Sequence, residues 1–432
     1  MRAIGYSNKM FYYNSSGKAL TYDFQMRITL TAAPNKDALQ RAAKKTLAAF
    51  PEFAVRPVIH DGKLFYEENA ADVVIIDAPY QHRNLGSDDT NGYLLYLICG
   101  EREMILSFYH GLSDFVGNWA FICTLLYNYA GELGFSFAAK EPVRLNADDY
   151  YNMSEIERDD PYSKFGDVNA VPTWVYKSQG AFIVPEKMYA PDVDFLRNYD
   201  IEISVADMIR LTEEYQTSFA PLLAVAVSRG LKKIYDTNGL PIVGKIPTNM
   251  RPIFQTKTIS NFSDTSILAY TEDMDKLSVS ECCKILRQTL KAQLKPENFA
   301  GTLAKKKQRI IGYEESGKDI EQIARELSNA PSSRPVTYAL TYPGILKLPE
   351  EYKQVVSSFN MEPYSPVDGF FLYVGAYDDN RLLRVRCCQR FDGDRVAKAI
   401  ADELERLNFR PAFKDAGTLD GDKVFIDKLK HI

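Results

Sequence analysis

The sequence predicts a mixed α/β protein, of the α+β kind, built from two similar halves that are each a sheet backed by helices. Three observations carry this. The stretch from Met104 to Ala130 reads as a buried strand, a tight turn and a helix. A stretch from Leu382 to Leu407 repeats that layout. The chain has 432 residues, and a length of roughly 150 residues per domain suggests two or three domains or subdomains.

In the first stretch, Met104 to Tyr109 is short and almost wholly apolar, as a strand buried on both faces must be. From Val116 the positions Val116, Trp119, Ala120, Cys123, Leu126, Tyr127 and Ala130 recur at helical spacing. His110 stands where the strand ends, four residues before Asp114. This is a placement that catalysis can use and that packing alone does not obviously require. In the second stretch the strand Leu382 to Cys388 is followed by Gln389-Arg390-Phe391-Asp392-Gly393 and a helix from Asp394 to Leu407. This sets Cys388 in the place of His110 and Asp392 in the place of Asp114. Helix capping explains the acid of both turns, whereas the histidine occurs in one half and needs its own reason.

The other elements follow in order. Phe24, Met26, Ile28 and Leu30 alternate with polar residues, which predicts a half-buried strand. Asn35 caps a helix whose inner face is Ala38, Leu39, Ala42, Ala43, Leu47 and Phe50, and Pro51 ends it. Phe53 to Ile59 and Lys63 to Tyr66 flank Asp61-Gly62, a hairpin signal because glycine supplies positive φ. Val73 to Ile76 and Leu94 to Cys99 are strands, the latter forming a hairpin with the strand before His110. Leu145 to Trp174 is polar and acidic with little periodicity, and predicts a crossover between an N-terminal subdomain, 1–165, and a C-terminal one, 175–432. Beyond it come a strand ending near Ser204, helices to Tyr215 and over Phe219 to Tyr235, strands at Ile242 to Ile246 and Thr265 to Tyr270, and a helix over Val279 to Leu294 capped by Ser278. Val336 to Thr341, Phe370 to Tyr377 and Leu382 to Cys388 complete the strands, the last two joined at Asp378-Asp379-Asn380.

Composition narrows the function classes. A net charge of -5 and a pI near 5.6 give no electrostatic reason to bind nucleic acid. No apolar run approaches the roughly 20 residues that span a bilayer, and Met1 to Tyr13 lacks the order of a signal peptide. Cys99, Cys123, Cys282, Cys283, Cys387 and Cys388 have no zinc-site spacing, and most lie within apolar strand or helix patterns. They read as free thiols in a reducing compartment, so a cytoplasmic protein is expected. His60, His82 and His431 are scattered, and no metal is expected. No Gly-x-Ser-x-Gly elbow, Walker loop or dinucleotide turn is present, which removes the common hydrolase, NTPase and Rossmann readings.

His110-x-x-x-Asp114 at a strand-to-helix turn resembles the His-x-x-x-Asp-Gly signature of the chloramphenicol acetyltransferase-like superfamily, which includes peptide-synthetase condensation domains and alcohol O-acetyltransferases. Three further stretches stand in the order this family has them. Phe50-Pro51-Glu52-Phe53 before Val55-Arg56-Pro57 is similar to its Pro-x-Phe turn. Ile246-Pro247-Thr248-Asn249-Met250-Arg251-Pro252 and Ser260-Asn261-Phe262-Ser263 are similar to its Pro-x-x-x-Arg and Asn-Phe segments. Thr341-Tyr342-Pro343-Gly344 before Leu348-Pro349 is similar to its late strand-and-Gly turn. Two departures stand out: Tyr109 replaces a second histidine, as in many active members, and Phe115 replaces the glycine after the acid, with a glycine arriving at Gly117. Both are placed to shape the channel.

The resemblance implies two subdomains with a channel between them and His110 at its middle. It implies direct acyl transfer from an acyl-CoA co-substrate to a small alcohol or amine, with His110 as general base and no covalent enzyme intermediate. Asp114 would pair with Arg251 and hold the turn, and Asn261 or Ser263 would donate to the oxyanion. The residues also admit plainer readings: a hydrogen-bonded core histidine, a helix cap, a solvated arginine and two turn formers. Lys305-Lys306-Lys307 with Arg309 reads as a solvated helix face, the alternative being a coenzyme A phosphate site. Two rival functions are a stand-alone condensation domain fed by a carrier-protein thioester, and a catalytically silent binding or scaffold member whose Phe115 spoils the site.

Overall fold

The computed structural model describes residues 1–15, 23–61, 63–79, 83–137, 155–166, 171–177, 179–186, 195–320, 322–323, 326, 335–345, 348–363, 370–377 and 381–420. Gly62, His82, residues 145–154, Asp378-Asp379-Asn380 and His431 lie outside them.

The first elements are β1 (Arg2–Ala3), α1 (Tyr6–Ser15), β2 (Asp23–Leu30), α2 (Lys36–Ala49), β3 (Val55–His60), β4 (Lys63–Glu68), β5 (Ile75–Asp77), β6 (Leu95–Cys99), β7 (Glu103–Tyr109) and α3 (Phe115–Glu132). Two short helices, α4 (Glu155–Arg158) and α5 (Pro161–Phe165), stand in the segment expected to be irregular. Asp160 caps the second of them through the Ser163 amide. There follow β8 (Phe195–Ser204), α6 (Val205–Glu214), α7 (Phe219–Ile234), β9 (Ile242–Asn249), α8 (Arg251–Phe254), β10 (Ser263–Tyr270), α9 (Val279–Gln293), α10 (Pro296–Glu315), β11 (Tyr338–Thr341), β12 (Val356–Pro363), β13 (Phe370–Tyr377), β14 (Leu382–Gln389), α11 (Arg395–Arg406) and β15 (Ala412–Asp420). Among the described residues, no helix is long and apolar enough to cross a membrane.

A five-stranded sheet has the order β12-β2-β7-β6-β5, and β7 is its centre. Central placement covers both faces of β7, so the run Met104 to Phe108, apolar but for the buried Ser107, is what its position demands. α2 and α3 pack against this sheet, and Asn35 caps α2 by accepting from the Ala38 amide. Each Leu, Ile or Phe sealed here stabilises the fold by about 1.5–3 kcal/mol. β12 arrives from far along the chain and pairs antiparallel with β2. Its sequence, Val-Ser-Ser-Phe-Asn-Met-Glu-Pro, is too polar to announce a strand, which suits an edge position. A small sheet, β1-β4-β3, carries the chain's start.

A seven-stranded sheet has the order β10-β9-β11-β13-β14-β8-β15. The second core gathers Ile201 and Ile203 of β8, Leu222 of α7, Leu372 of β13, Val385 of β14 and Ile400 of α11. Alternate residues of the same strands, Asp200, Glu202, Arg384 and Arg386, meet as ion pairs on the other face.

The internal repeat is present, but its register differs from the expected one. β14 continues through Gln389 and α11 begins at Arg395 with Asp394 as its N-cap residue. Matching strand ends and helix starts therefore sets Arg390, not Cys388, opposite His110, and Asp394, not Asp392, opposite Asp114. Asp392 is exposed and caps nothing, while Phe391 turns inward and is buried.

Candidate active site

Asp114 and Arg251 form the rigid centre of the site. Asp114 caps α3: its Oδ1 accepts from the Val116 amide at 3.1 Å and the Gly117 amide at 3.2 Å, satisfying two of the donors that every helix start leaves open. The same carboxylate takes the Arg251 guanidinium bidentately, at 2.8 and 2.9 Å, and accepts from the Phe262 amide at 2.9 Å. Arg251 spends its remaining N–H groups on the carbonyls of Thr258 and Ser260 and on Asn249 Oδ1. All five donors of the planar fork are thus used. Both side chains are about 95% buried, at 4% and 5% exposure. A carboxylate enclosed by five donors has no free lone pair directed at a substrate, so this acid cannot serve as a second base.

Packing holds the partner segment in place. Met250, Phe262, Phe299, Leu303 and Tyr162 form a small apolar cluster behind the Arg251 turn. Gly117 lets α3 approach the same segment: a Cβ there would lie 2.1 Å from Ser113 Oγ and 2.3 Å from the Ile259 carbonyl oxygen. Ser113 Oγ donates to that carbonyl. Gly117, and not residue 115, is thus the glycine of this turn at which backbone meets backbone.

His110 follows β7 and reaches the same segment through a different residue. Its Nδ1 lies 3.1 Å from Asn261 Oδ1. Asn261 Nδ2 donates to the His110 carbonyl at 2.7 Å and to Asn8 Oδ1 at 3.1 Å, and those two acceptors fix the orientation of the amide. Oδ1 is then the acceptor facing the ring, so Nδ1 carries the proton and Nε2 holds the free lone pair. Phe11 stacks on the imidazole with centroids 4.6 Å apart and planes 13° apart, and Phe24 sits at 5.2 Å. Burial pushes the His110 pKa below the usual 6.5, against its own backbone hydrogen bond, the Asp114 charge and Asn261, which pull it up. His110 as a whole residue is half-buried. The arrangement is a neutral imidazole with a fixed tautomer, able to take a proton at Nε2.

The other expected residues divide. Both N–H bonds of Asn261 are committed to His110 and Asn8, which makes it an orienting group with no donor left for an oxyanion. Ser263 opens β10, paired with Asn249, two residues beyond Asn261. Tyr109 is wholly buried with its ring against Tyr12, so it packs the core. Phe115 is half-buried and lies parallel to Trp119 at 6.2 Å, while the rings against His110 are Phe11 and Phe24. Lys306, part-exposed, pairs with the buried Asp264 at 2.9 Å, so the middle of the lysine run already serves a carboxylate. A recess of about 900 Å³ at α2, β3 and β4, walled by Arg2, Glu52, Tyr66 and Arg158, does not include His110. Asn8, on the unannounced helix α1, is the site residue the sequence did not disclose. Nothing in a lone asparagine marks it, although Tyr6, Met10 and Tyr13 recur at helical spacing around it.

The fold is chloramphenicol acetyltransferase-like, as is that of condensation domains. Among solved structures it is similar to TRI101 of F. sporotrichioides complexed with coenzyme A and T-2, with a TM-score of 0.59 and 12% identity, over 93% of this chain and 98% of that one. It is similar as well to the starter condensation domain of rhizomide synthetase RzmA in complex with C8-CoA and Leu-SNAC, with a TM-score of 0.59 and 10% identity, over 94% of this chain and 92% of that one. Polyketide synthase associated protein 5 from Mycobacterium tuberculosis gives a TM-score of 0.58 at 15% identity, over 93% and 96% of the two chains. No family model and no curated protein matches the sequence.

Proposed function

We propose that this protein is a cytoplasmic acyltransferase that moves an acyl group from coenzyme A to a small alcohol or amine by general-base catalysis at His110. Residues 1–165 and 175–432 would form the two subdomains, with the substrate channel between them. The observation that carries the reading is the fixed tautomer: the Asn261 contact holds the proton on Nδ1 and leaves Nε2 free. The fold is one that other proteins display with coenzyme A bound.

In this reading the acceptor O–H or N–H gives its proton to Nε2 as its heteroatom bonds to the thioester carbonyl carbon. Ser263 donates to the oxygen as negative charge develops there. The C–S bond then breaks, and Nε2 returns the proton to the departing thiolate. Asp114 and Arg251 hold the turn and take no part in the proton transfers.

His110→Ala is expected to lower turnover by about 10²–10⁴-fold, read as thiol release from acyl-CoA, with an unchanged thermal transition. Unchanged acylation in that variant would sink the mechanism. A second reading, a carrier-protein thioester as donor, is favoured by the likeness to a starter condensation domain seen with both C8-CoA and Leu-SNAC. Comparing the same acyl group on coenzyme A and on a carrier protein separates the two.

A further inference from the structure

We propose that Asn8, on the N-terminal helix α1, is a positioning residue that sets the tautomer and seat of His110 through Asn261. The inference rests on the reading of His110 as the general base. Asn8 bridges the two sides of the site. Its Oδ1 accepts from both the backbone N–H and the Nδ2 of Asn261, at 3.3 and 3.1 Å, and its Nδ2 donates to the Leu112 carbonyl at 3.3 Å in the turn just after His110. Asn261 has two amide hydrogens and one amide oxygen. With Asn8 Oδ1 and the His110 carbonyl taking the hydrogens, the oxygen has one orientation left, toward Nδ1. Without Asn8 the Asn261 amide is held by the His110 carbonyl alone, and the turned-over amide that presents a donor to the ring is opposed by that one bond. Turned over, the amide selects the opposite tautomer, with the proton on Nε2 and no lone pair for the acceptor.

The helix is anchored for this task. Asp160, from the segment before α5, accepts from the Tyr6 and Ser7 amides at 3.2 and 3.4 Å and so fixes the start of α1. Tyr12 donates to the Tyr66 hydroxyl at 3.1 Å and lays its ring against Tyr109, while Phe11 covers the imidazole. Asn8 is 6% exposed, so its amide competes with little water for these bonds. The first helix, remote in sequence from His110, thereby adds to the ring's own backbone hydrogen bond in keeping Nε2 the basic nitrogen.

The chain has four histidines, so nitrogen-15 histidine NMR can resolve them, with His110→Ala assigning the signal. In the wild-type protein at neutral pH His110 is expected as the Nδ1–H tautomer. In Asn8→Ala the signal should move toward the Nε2–H form, and kcat should fall by about ten- to a hundredfold with KM within about twofold. Asn8→Asp keeps the shape and the oxygen that accepts from Asn261, and is expected to retain the tautomer. It serves equally if Asn8→Ala does not fold: a shifted tautomer in folded Asn8→Asp, with the acceptor intact, overturns the proposal. So does an unaltered Nδ1–H signal in folded Asn8→Ala. If the wild-type protein acylates nothing, the acyltransferase reading fails, while the NMR comparison still decides the role of Asn8.

Discussion

The turn from β7 into α3 and the turn from β14 into α11 share one layout and are held by opposite means. The second closes on itself: Gln389, fully buried, donates its side-chain amide to the carbonyls of Phe391 and Gly393 within the same turn. The first is tied to a remote part of the chain, with Asp114 on Arg251 and Phe262, Ser113 on Ile259, and His110 on Asn261. Even their glycines differ in purpose. Gly117 is required for space, whereas Gly393 has nothing near its Cβ position and adopts φ of 90°, which only glycine takes easily. Local closure suffices to make the architecture. The long-range ties add a fixed relation between His110 and the segment 249–262.

Arg251→Met should break this comparison most strongly. It leaves the Asp114 carboxylate buried without its counter-charge and strands two backbone carbonyls, at a cost of about 3–5 kcal/mol in urea unfolding. A loss below about 1 kcal/mol would mean that the tie is ornamental. The double variant Asp114→Asn with Arg251→Met should lose less than the two singles combined, because each single leaves the other group unpaired. Gly117→Ala comes next. The new methyl meets the Ile259 carbonyl, a backbone atom that cannot rotate away, and about 1–3 kcal/mol should be lost as α3 and the segment move apart. Wild-type stability there would show that the close approach is not needed.

The pH profile sharpens the contrast in a subtler way. Enclosure by Phe11 and Phe24 pushes the His110 pKa below 6.5, so the neutral base persists at pH values where an ordinary histidine is half protonated. The activity plateau should therefore extend below 6.5, and kcat/KM should decline by about tenfold per pH unit only below the lowered value. A midpoint above 6.5 would contradict the enclosed, neutral ring.

Much of this was legible in the sequence, and the reason lies in what each signal depends on. β7, α2, α7 and α9 follow from periodicity and caps, which are local, and Ser278 with Glu281 forms the capping box its position suggests. His110 and Asp114 stand out because an imidazole and a carboxylate beside apolar runs need partners, whereas Arg251 is marked only by the resemblance of its Pro-x-x-x-Arg segment. Asn8 and β12 were not legible, since their roles exist only through contacts made hundreds of residues away. The exact match of the two turns also escaped: Gln389 extends β14, and no local pattern says whether a strand ends one residue early.

The smallest effect tests the other side of the comparison. Asp394 occupies in the second turn the place Asp114 holds in the first, yet it makes no side-chain cap bond. Its side chain has an ion pair with Lys398 at 2.6 Å, one turn along α11, where both groups are well exposed. An exposed pair of this spacing contributes about 0.3–0.5 kcal/mol and is screened by salt. Asp394→Ala should therefore cost no more than about 0.5 kcal/mol in urea unfolding, and less in high salt. A cost near that of Arg251→Met would mean that acids serve both turns alike, and the long-range tie would no longer set the histidine turn apart.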